Sequence, residues 1–126
     1  MAEMGVFRTS IAISRDFPAR ETAHVDSIMV HTGAEYSWIP TAVLEAAGIR
    51  RVKPMRFITA DGRVVARDAG YGFVHATGES SPTVLIFAEA GDQVLLGAHA
   101  LEGMNLRVDL VERRLIPAGP VPAAAA

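Results

Sequence analysis

The stretch Ile28-Met29-Val30-His31-Thr32-Gly33-Ala34-Glu35 decides the fold of this chain of 126 residues. Its first part belongs to a predicted strand, His24 to Val30, in which Val25, Ile28 and Val30 are apolar. The strand runs directly into His31-Thr32-Gly33-Ala34, where small and polar residues indicate a turn. The sequence therefore predicts a buried strand that ends in a turn at His31.

Short apolar runs separated by Gly, Pro and Asp continue along the chain, a pattern typical of an all-β fold. Further strands are predicted at Gly5 to Ser14, Tyr36 to Ile39, Gly70 to Thr77, Thr83 to Glu89, Leu106 to Leu110 and Arg114 to Pro117. Gly78-Glu79-Ser80-Ser81-Pro82 is predicted to be a linker, and Gly91-Asp92 a turn. Pro40 to Ala47 is predicted to be a helix of about two turns, since proline opens it and Gly48 closes it.

Two further segments complete this pattern. Asp61-Gly62 lies between two apolar runs and favours the tight turn of a hairpin, which is predicted at Phe57 to Arg67. Val94-Leu95-Leu96-Gly97 is an unbroken apolar run ending in glycine, as expected of a strand buried on both faces. Ala98 to Met104 follows it as a second predicted short helix.

Composition narrows the class of protein. Half of the residues are hydrophobic, and domains commonly contain about 100–150 residues, so one domain with its own core is expected. The formal net charge of −2 predicts no nucleic-acid partner and no attraction to anionic lipid. The chain has no cysteine, which excludes disulfides and thiolate chemistry.

No apolar run approaches the roughly 18 residues of a membrane span. Met1 to Met4 lacks signal-peptide features, so a cytoplasmic location is expected.

Three of these elements together resemble the retropepsin-like (retroviral-type) aspartic proteases, and the sequence looks closest to bacterial single-domain members. In that family an apolar strand precedes Asp-Thr-Gly-Ala and an acidic residue, as it does at Ile28 to Glu35 except at position 31. An apolar pair and glycine before a helix form the family's second signature, which Val94 to Gly97 resembles. The family's flap hairpin lies between the two, where Ala60-Asp61-Gly62 stands here.

This resemblance implies an all-β, closed barrel with one or two short helices, assembled as a homodimer. The protease domain would span residues 5–117, followed by a flexible Pro- and Ala-rich tail at residues 118–126. In retroviral relatives the chain termini pair in an interface sheet, a role that Arg114 to Pro117 would take in this chain.

The chain departs from this family at the residue that activates water. Aspartic proteases hydrolyse peptide bonds with two carboxyl groups that share one proton, because two like charges about 3 Å apart cannot both ionise. A single-domain chain supplies one group, so the site needs a homodimer. Here His31 occupies that position, and a pair of imidazoles cannot share a proton between two anions. An aspartic endopeptidase relative with little or no activity is therefore predicted, whether His31 is natural or was introduced to prevent self-cleavage.

The resemblance also implies roles for the neighbouring residues, and it implies a peptide or protein substrate with no cofactor and no metal. Thr32 would hydrogen-bond across the two-fold axis to the partner chain. The implied positions are catalytic at His31, Thr32 and Gly33, and substrate-binding at Ala34, Glu35, Ala60, Asp61 and Gly62.

Two alternative functions stay open. The same cleft is suited to hold a peptide without cutting it, as a pseudoprotease would. Two facing His31 side chains are also suited to bind Zn²⁺ or Ni²⁺ across the dimer axis. Trp38 and Tyr36 are candidate substrate contacts, but a core position for Trp38 beside the first helix is favoured.

Overall fold

The computed structural model describes residues 7–124, which form nine strands and two short helices. In chain order the elements are β1 (Phe7–Ser14), β2 (Ala23–Val30), β3 (Ser37–Pro40), α1 (Thr41–Ala46), β4 (Lys53–Ile58), β5 (Val64–Ala76), β6 (Glu79–Ala88), β7 (Leu95–Leu96), α2 (Ala98–Gly103), β8 (Leu106–Asp109) and β9 (Arg114–Pro117). This mostly β architecture with two short helices confirms the predicted class. Gly5 and Val6, where the first strand is predicted to begin, lie outside the described residues, as do the last two residues of the predicted tail.

Seven strands form one sheet in the order β1-β2-β7-β3-β6-β5-β4. The end of β1 also pairs with β5, Ala12 opposite His75 and Ser14 opposite Phe73. Each strand from β1 through β2, β7, β3, β6 and β5 is therefore hydrogen-bonded to the next, and β5 is in turn hydrogen-bonded to β1. β8 and β9 form a separate antiparallel pair.

The core is an apolar cluster enclosed by these strands and both helices. Burial of each large aliphatic or aromatic side chain stabilises the fold by about 1.5–3 kcal/mol. The fully buried members with the largest side chains include Ile13, Ile28, Val30, Ile39, Leu44, Leu85, Phe87, Leu96 and Met104. Both residues of β7 are buried, which confirms the prediction of a strand covered on both faces.

The turn between β5 and β6 differs from its prediction. Thr77 and Gly78 both have positive φ angles, of 49° and 83°, and the strands pair on either side of them, as in a two-residue hairpin turn. Glu79–Pro82, predicted to be part of a linker, therefore belongs to β6. Proline fits there because β3 joins the other edge of β6 only from Leu85 onward, so no partner on that edge requires an N–H group at Pro82.

Neither helix within residues 7–124 has the length and apolar character needed to cross a membrane.

Candidate functional site

β7 positions His31 at the end of β2. β7 runs parallel to β2, with Val30 opposite Leu96. The His31 backbone N–H donates to the Leu96 carbonyl at 2.9 Å, and the Ala34 N–H donates to the His31 carbonyl at 3.2 Å, which closes the predicted turn. The imidazole is half-buried and has no hydrogen-bond partner among the described residues. Its backbone is thus fixed, while both ring nitrogens stay available.

The first turn of α2 is hydrogen-bonded to the same loop. The Ala98 N–H donates to the Ala34 carbonyl at 2.7 Å, and the His99 N–H donates to the Glu35 carbonyl at 3.0 Å. The two segments that the resemblance depends on are therefore joined in space.

Gly97 lies at the closest point of this junction. A Cβ atom at position 97 would lie 2.5 Å from the Tyr36 carbonyl oxygen, a separation that real Cβ atoms do not adopt. The Gly97 N–H donates to the Oγ of buried Ser37 at 2.9 Å, across 60 residues of sequence. Glycine at position 97 is therefore required by close backbone approach.

The hairpin of β4 and β5 has a three-residue tip, Ala60, Asp61 and Gly62. Thr59 and Arg63 pair at its base, with the Thr59 N–H bonded to the Arg63 carbonyl at 2.8 Å. Gly62 has a φ of 86°, the left-handed conformation that such a tip needs. The Thr59 hydroxyl donates to Asp61 and, with the Arg63 groups, lowers the pKa of this carboxyl. The predicted hairpin is thus present, with its turn stabilised by side chains.

A cleft with a cavity volume of about 470 Å³ lies between this hairpin and the His31 turn. Ligand sites typically have volumes of about 300–1,000 Å³. The lining residues are His31, Ala34, Trp38, Phe57, Ile58, Thr59, Ala60, Arg63, Val65, Arg67, Gly91, Asp92, Gln93 and Leu95. Of the eight predicted site residues, three line the cleft, His31, Ala34 and Ala60.

The other five predicted site residues lie around the cleft without lining it. Gly33 is beside the imidazole, since a Cβ atom at this position would lie 3.0 Å from the His31 Cε1 atom. Thr32 and Glu35 are exposed on the same turn, and Asp61 and Gly62 are exposed at the hairpin tip.

Aromatic residues form one wall of the cleft. The rings of Trp38 and Phe57 are 4.8 Å apart, and Tyr36 contacts Phe57 edge-on at 6.5 Å. Trp38 is half-buried and lies outside the core cluster. The favoured prediction of a core position for Trp38 is wrong, because Ser37 and Ile39 point into the core and alternation turns Trp38 towards the cleft. The sequence alone does not predict that Phe57 lies beside Trp38, since Phe57 belongs to β4 and Trp38 to β3.

An ion pair between Arg67 and Asp92, which both line the cleft, stabilises one of its edges. The Arg67 Nε and Nη2 atoms donate to the two oxygens of Asp92, at 2.7 and 2.9 Å. The pair raises the pKa of Arg67 and lowers the pKa of Asp92. Asp92 Oδ2 also accepts the Glu89 N–H at 2.8 Å, so the pair fixes the turn after β6. Sequence analysis misses this contact because 25 residues separate its members.

Within residues 7–124, no group of three or more His, Cys, Asp or Glu side chains could hold a metal ion. Cavities of about 340 and 400 Å³ lie around Arg15 and Asp16. Neither is lined by a residue of the His31 turn or of the hairpin tip, so the 470 Å³ cleft is the candidate site.

Comparison with solved structures supports the fold. The chain is similar to the solution structure of simian foamy virus (mac) protease, with a TM-score of 0.50 and 18% sequence identity over 75% of this chain and 91% of that one. No family model matches the sequence, and no curated protein matches it. The fold is therefore that of the retropepsin-like class, as the sequence predicts.

Proposed function

We propose that this chain belongs functionally with the retropepsin-like aspartic endopeptidases, that it forms a homodimer, and that its cleft holds peptides with little or no cleavage. The observation that carries the proposal is that His31 and the tip of the β4–β5 hairpin line the same cleft. The resemblance of Ile28 to Glu35 to the family's active-site segment implies a water-activating carboxyl group at position 31.

The chemistry of residue 31 is the reason for the loss of cleavage. Peptide hydrolysis needs a base that takes a proton from water and an acid that donates one to the scissile carbonyl. Two aspartates do both because they share one proton. The imidazole of His31 is hydrogen-bonded to no carboxyl group among residues 7–124, and a second imidazole from a partner copy would not supply the missing negative charge.

We infer a homodimer from the number of catalytic groups that one chain contributes. One chain contributes one residue at this position, so a dyad needs two copies related by a two-fold axis. In that arrangement Thr32 bonds across the axis, Gly33 offers its carbonyl to a peptide, and Ala34 and Glu35 line the subsite beside it. The hairpin tip then closes over the peptide. The return of strand pairing from β5 to β1 supports a closed barrel that holds these groups rigidly.

The test compares cleavage of a mixed peptide library by the unaltered chain and by His31→Asp. We expect no cleavage above the buffer rate for the unaltered chain. His31→Asp should gain about 10²–10⁴-fold, the range that general acid–base catalysis supplies. The matched control is His24→Asp, since His24 is exposed on β2 and does not line the cleft. Robust and equal cleavage by the unaltered chain and His31→Asp would refute the proposed loss of activity.

A further inference from the structure

The carboxylate in the cleft lining is fully occupied. Asp92 Oδ1 accepts from Arg67, and Asp92 Oδ2 accepts from Arg67 and from the Glu89 N–H. The Thr59 hydroxyl is also engaged, since it donates to Asp61 beside the cleft. Asp92 therefore offers a ligand little to donate to, and the Thr59 hydroxyl has no proton left for an acceptor on the ligand.

Arg67 is equally occupied. Its Nε and Nη2 atoms bind Asp92, and its Nη1 atom donates to the Ala66 carbonyl at 2.7 Å. Only 17% of its side chain is exposed. The positive charge of Arg67 is therefore neutralised within the protein and serves to position the edge of the cleft.

Arg63 and His31 differ from these residues because each keeps donor groups without a protein partner, although Asp61 offsets part of the Arg63 charge. The Nε atom of Arg63 binds Asp61 at 2.9 Å, but neither terminal Nη group has a partner among residues 7–124. The His31 ring also has none there, and an imidazole offers an N–H donor in either protonation state. Both side chains line the cleft, Arg63 at the hairpin and His31 at the floor.

The rest of the lining is largely apolar. The rings of Trp38 and Phe57 pack against each other at a tilt, and buried Leu95 also lines the cleft. A ligand that contacts these rings and the donors of Arg63 and His31 combines a large apolar group with a hydrogen-bond acceptor.

We propose that the cleft selects peptides in which a carboxylate lies next to a large apolar side chain. The guanidinium of Arg63 suits a carboxylate because its Nη groups can donate in parallel, and His31 supplies a further donor. An aspartate pair at position 31 would disfavour an acidic ligand, since two carboxyl groups that share one proton still carry one negative charge. The inference rests on the peptide-binding function proposed above.

The experiment titrates the unaltered protein with matched peptides that contain no tryptophan. Ac-Ala-Ala-Leu-Phe-Glu-Ala-Ala-amide is compared with analogues that carry Gln or Lys in place of Glu. A fourth peptide, Ac-Ala-Ala-Ala-Ala-Leu-Phe with a free C-terminal carboxylate, separates a side-chain carboxylate from a chain end. Trp38 is the only tryptophan of the chain and lines the cleft, so its fluorescence reports binding, and calorimetry gives a second measure of Kd.

We expect the Glu peptide to bind about tenfold more tightly than the Gln peptide, as one charge-assisted hydrogen bond would give, and the Lys peptide to bind most weakly. Arg63→Gln should remove most of this difference. Arg107→Gln, at an exposed position on β8 outside the cleft, should leave it unchanged.

The outcomes separate this inference from the function it rests on. Equal binding of the Glu, Gln and Lys peptides would overturn the charge selectivity and leave peptide binding standing. Binding of no peptide by either measure would overturn both. Preference for the free C-terminus alone would support the selectivity and identify the carboxylate as that of a chain end.

Discussion

At the scale of single residues, the cleft floor depends on one buried hydroxyl group. Ser37 is 1% exposed, and its Oγ accepts the Gly97 N–H where β3 meets the residue that follows β7. Ser37→Ala would leave this N–H buried without a partner, which costs about 1–3 kcal/mol. We expect the free energy of unfolding, measured in urea, to fall by that amount.

Ser10→Ala is the matched control for this change. Ser10 Oγ is likewise bonded to the backbone, but it donates to the Asp26 carbonyl at 2.6 Å and the pair is exposed. Water can replace this bond, so we expect a loss within about 0.5 kcal/mol. Equal losses for the two variants would show that the buried Ser37–Gly97 bond stabilises the fold no more than the exposed Ser10–Asp26 bond does.

Single residues also show what sequence analysis can and cannot predict. The place of His31 is predictable because the turn after β2 is local, and its apolar strand and small residues are consecutive. The place of Trp38 is not, because burial preference favours the core while the alternation of β3 turns the ring outward. Arg63 and Arg67 look alike in sequence, and only the fold brings Asp92 to Arg67.

At the scale of elements, the Arg67–Asp92 pair connects β5 to the turn that follows β6. Removing its charge by Asp92→Asn leaves the Arg67 guanidinium, 17% exposed, without its carboxylate. We expect a loss of about 1–3 kcal/mol in the free energy of unfolding at pH 7. Asp68→Asn is the control, since Arg51 and Asp68 are 44% and 40% exposed and such pairs contribute about 0–1 kcal/mol.

The same pair predicts a pH dependence. Hydrogen bonding to Arg67 is the main reason that the pKa of Asp92 lies below its ordinary value of 3.8. A carboxyl group with a lower pKa in the folded chain stabilises the fold above its unfolded pKa, and this contribution is lost as the pH falls through the folded pKa. The difference between the unaltered protein and Asp92→Asn should therefore be constant above about pH 5 and shrink below about pH 4. An equal difference in urea unfolding at pH 7 and pH 3 would contradict this.

Elements as a whole are well predicted where turn residues mark them. Gly62 and Gly91 have positive φ angles at turns that Asp-Gly and Gly-Asp indicate in the sequence. Where the prediction fails, at the turn between β5 and β6, a threonine adopts positive φ. This conformation is uncommon for a β-branched residue, so long-range pairing of β5 with β6 outweighs local preference.

At the scale of the whole molecule, β8 and β9 stand apart as a sheet of two strands. Two-stranded sheets are marginally stable by themselves, and this one is anchored to the core through Leu106 and Leu115. Among the described strands, β9 pairs only with β8, so its outer edge is open to a strand from a second copy. Ile116 on this strand is half-buried within one chain. These features favour β9 as the place where two chains pair.

The last prediction concerns that pairing. Ile116→Arg puts a charge into the proposed interface, so we expect the dimer Kd from sedimentation equilibrium to rise at least about tenfold, the effect of 1.4 kcal/mol. Circular dichroism should show an unchanged fold, because the side chain is half-exposed within one chain. Val121→Arg is the control, since Val121 is 74% exposed and lies beyond β9. If the Ile116→Arg protein dimerised as tightly as the Val121→Arg protein, β9 would not form the dimer interface. In the proposed homodimer the two His31 side chains would lie at the two-fold axis, so their contact would then be sought on another face.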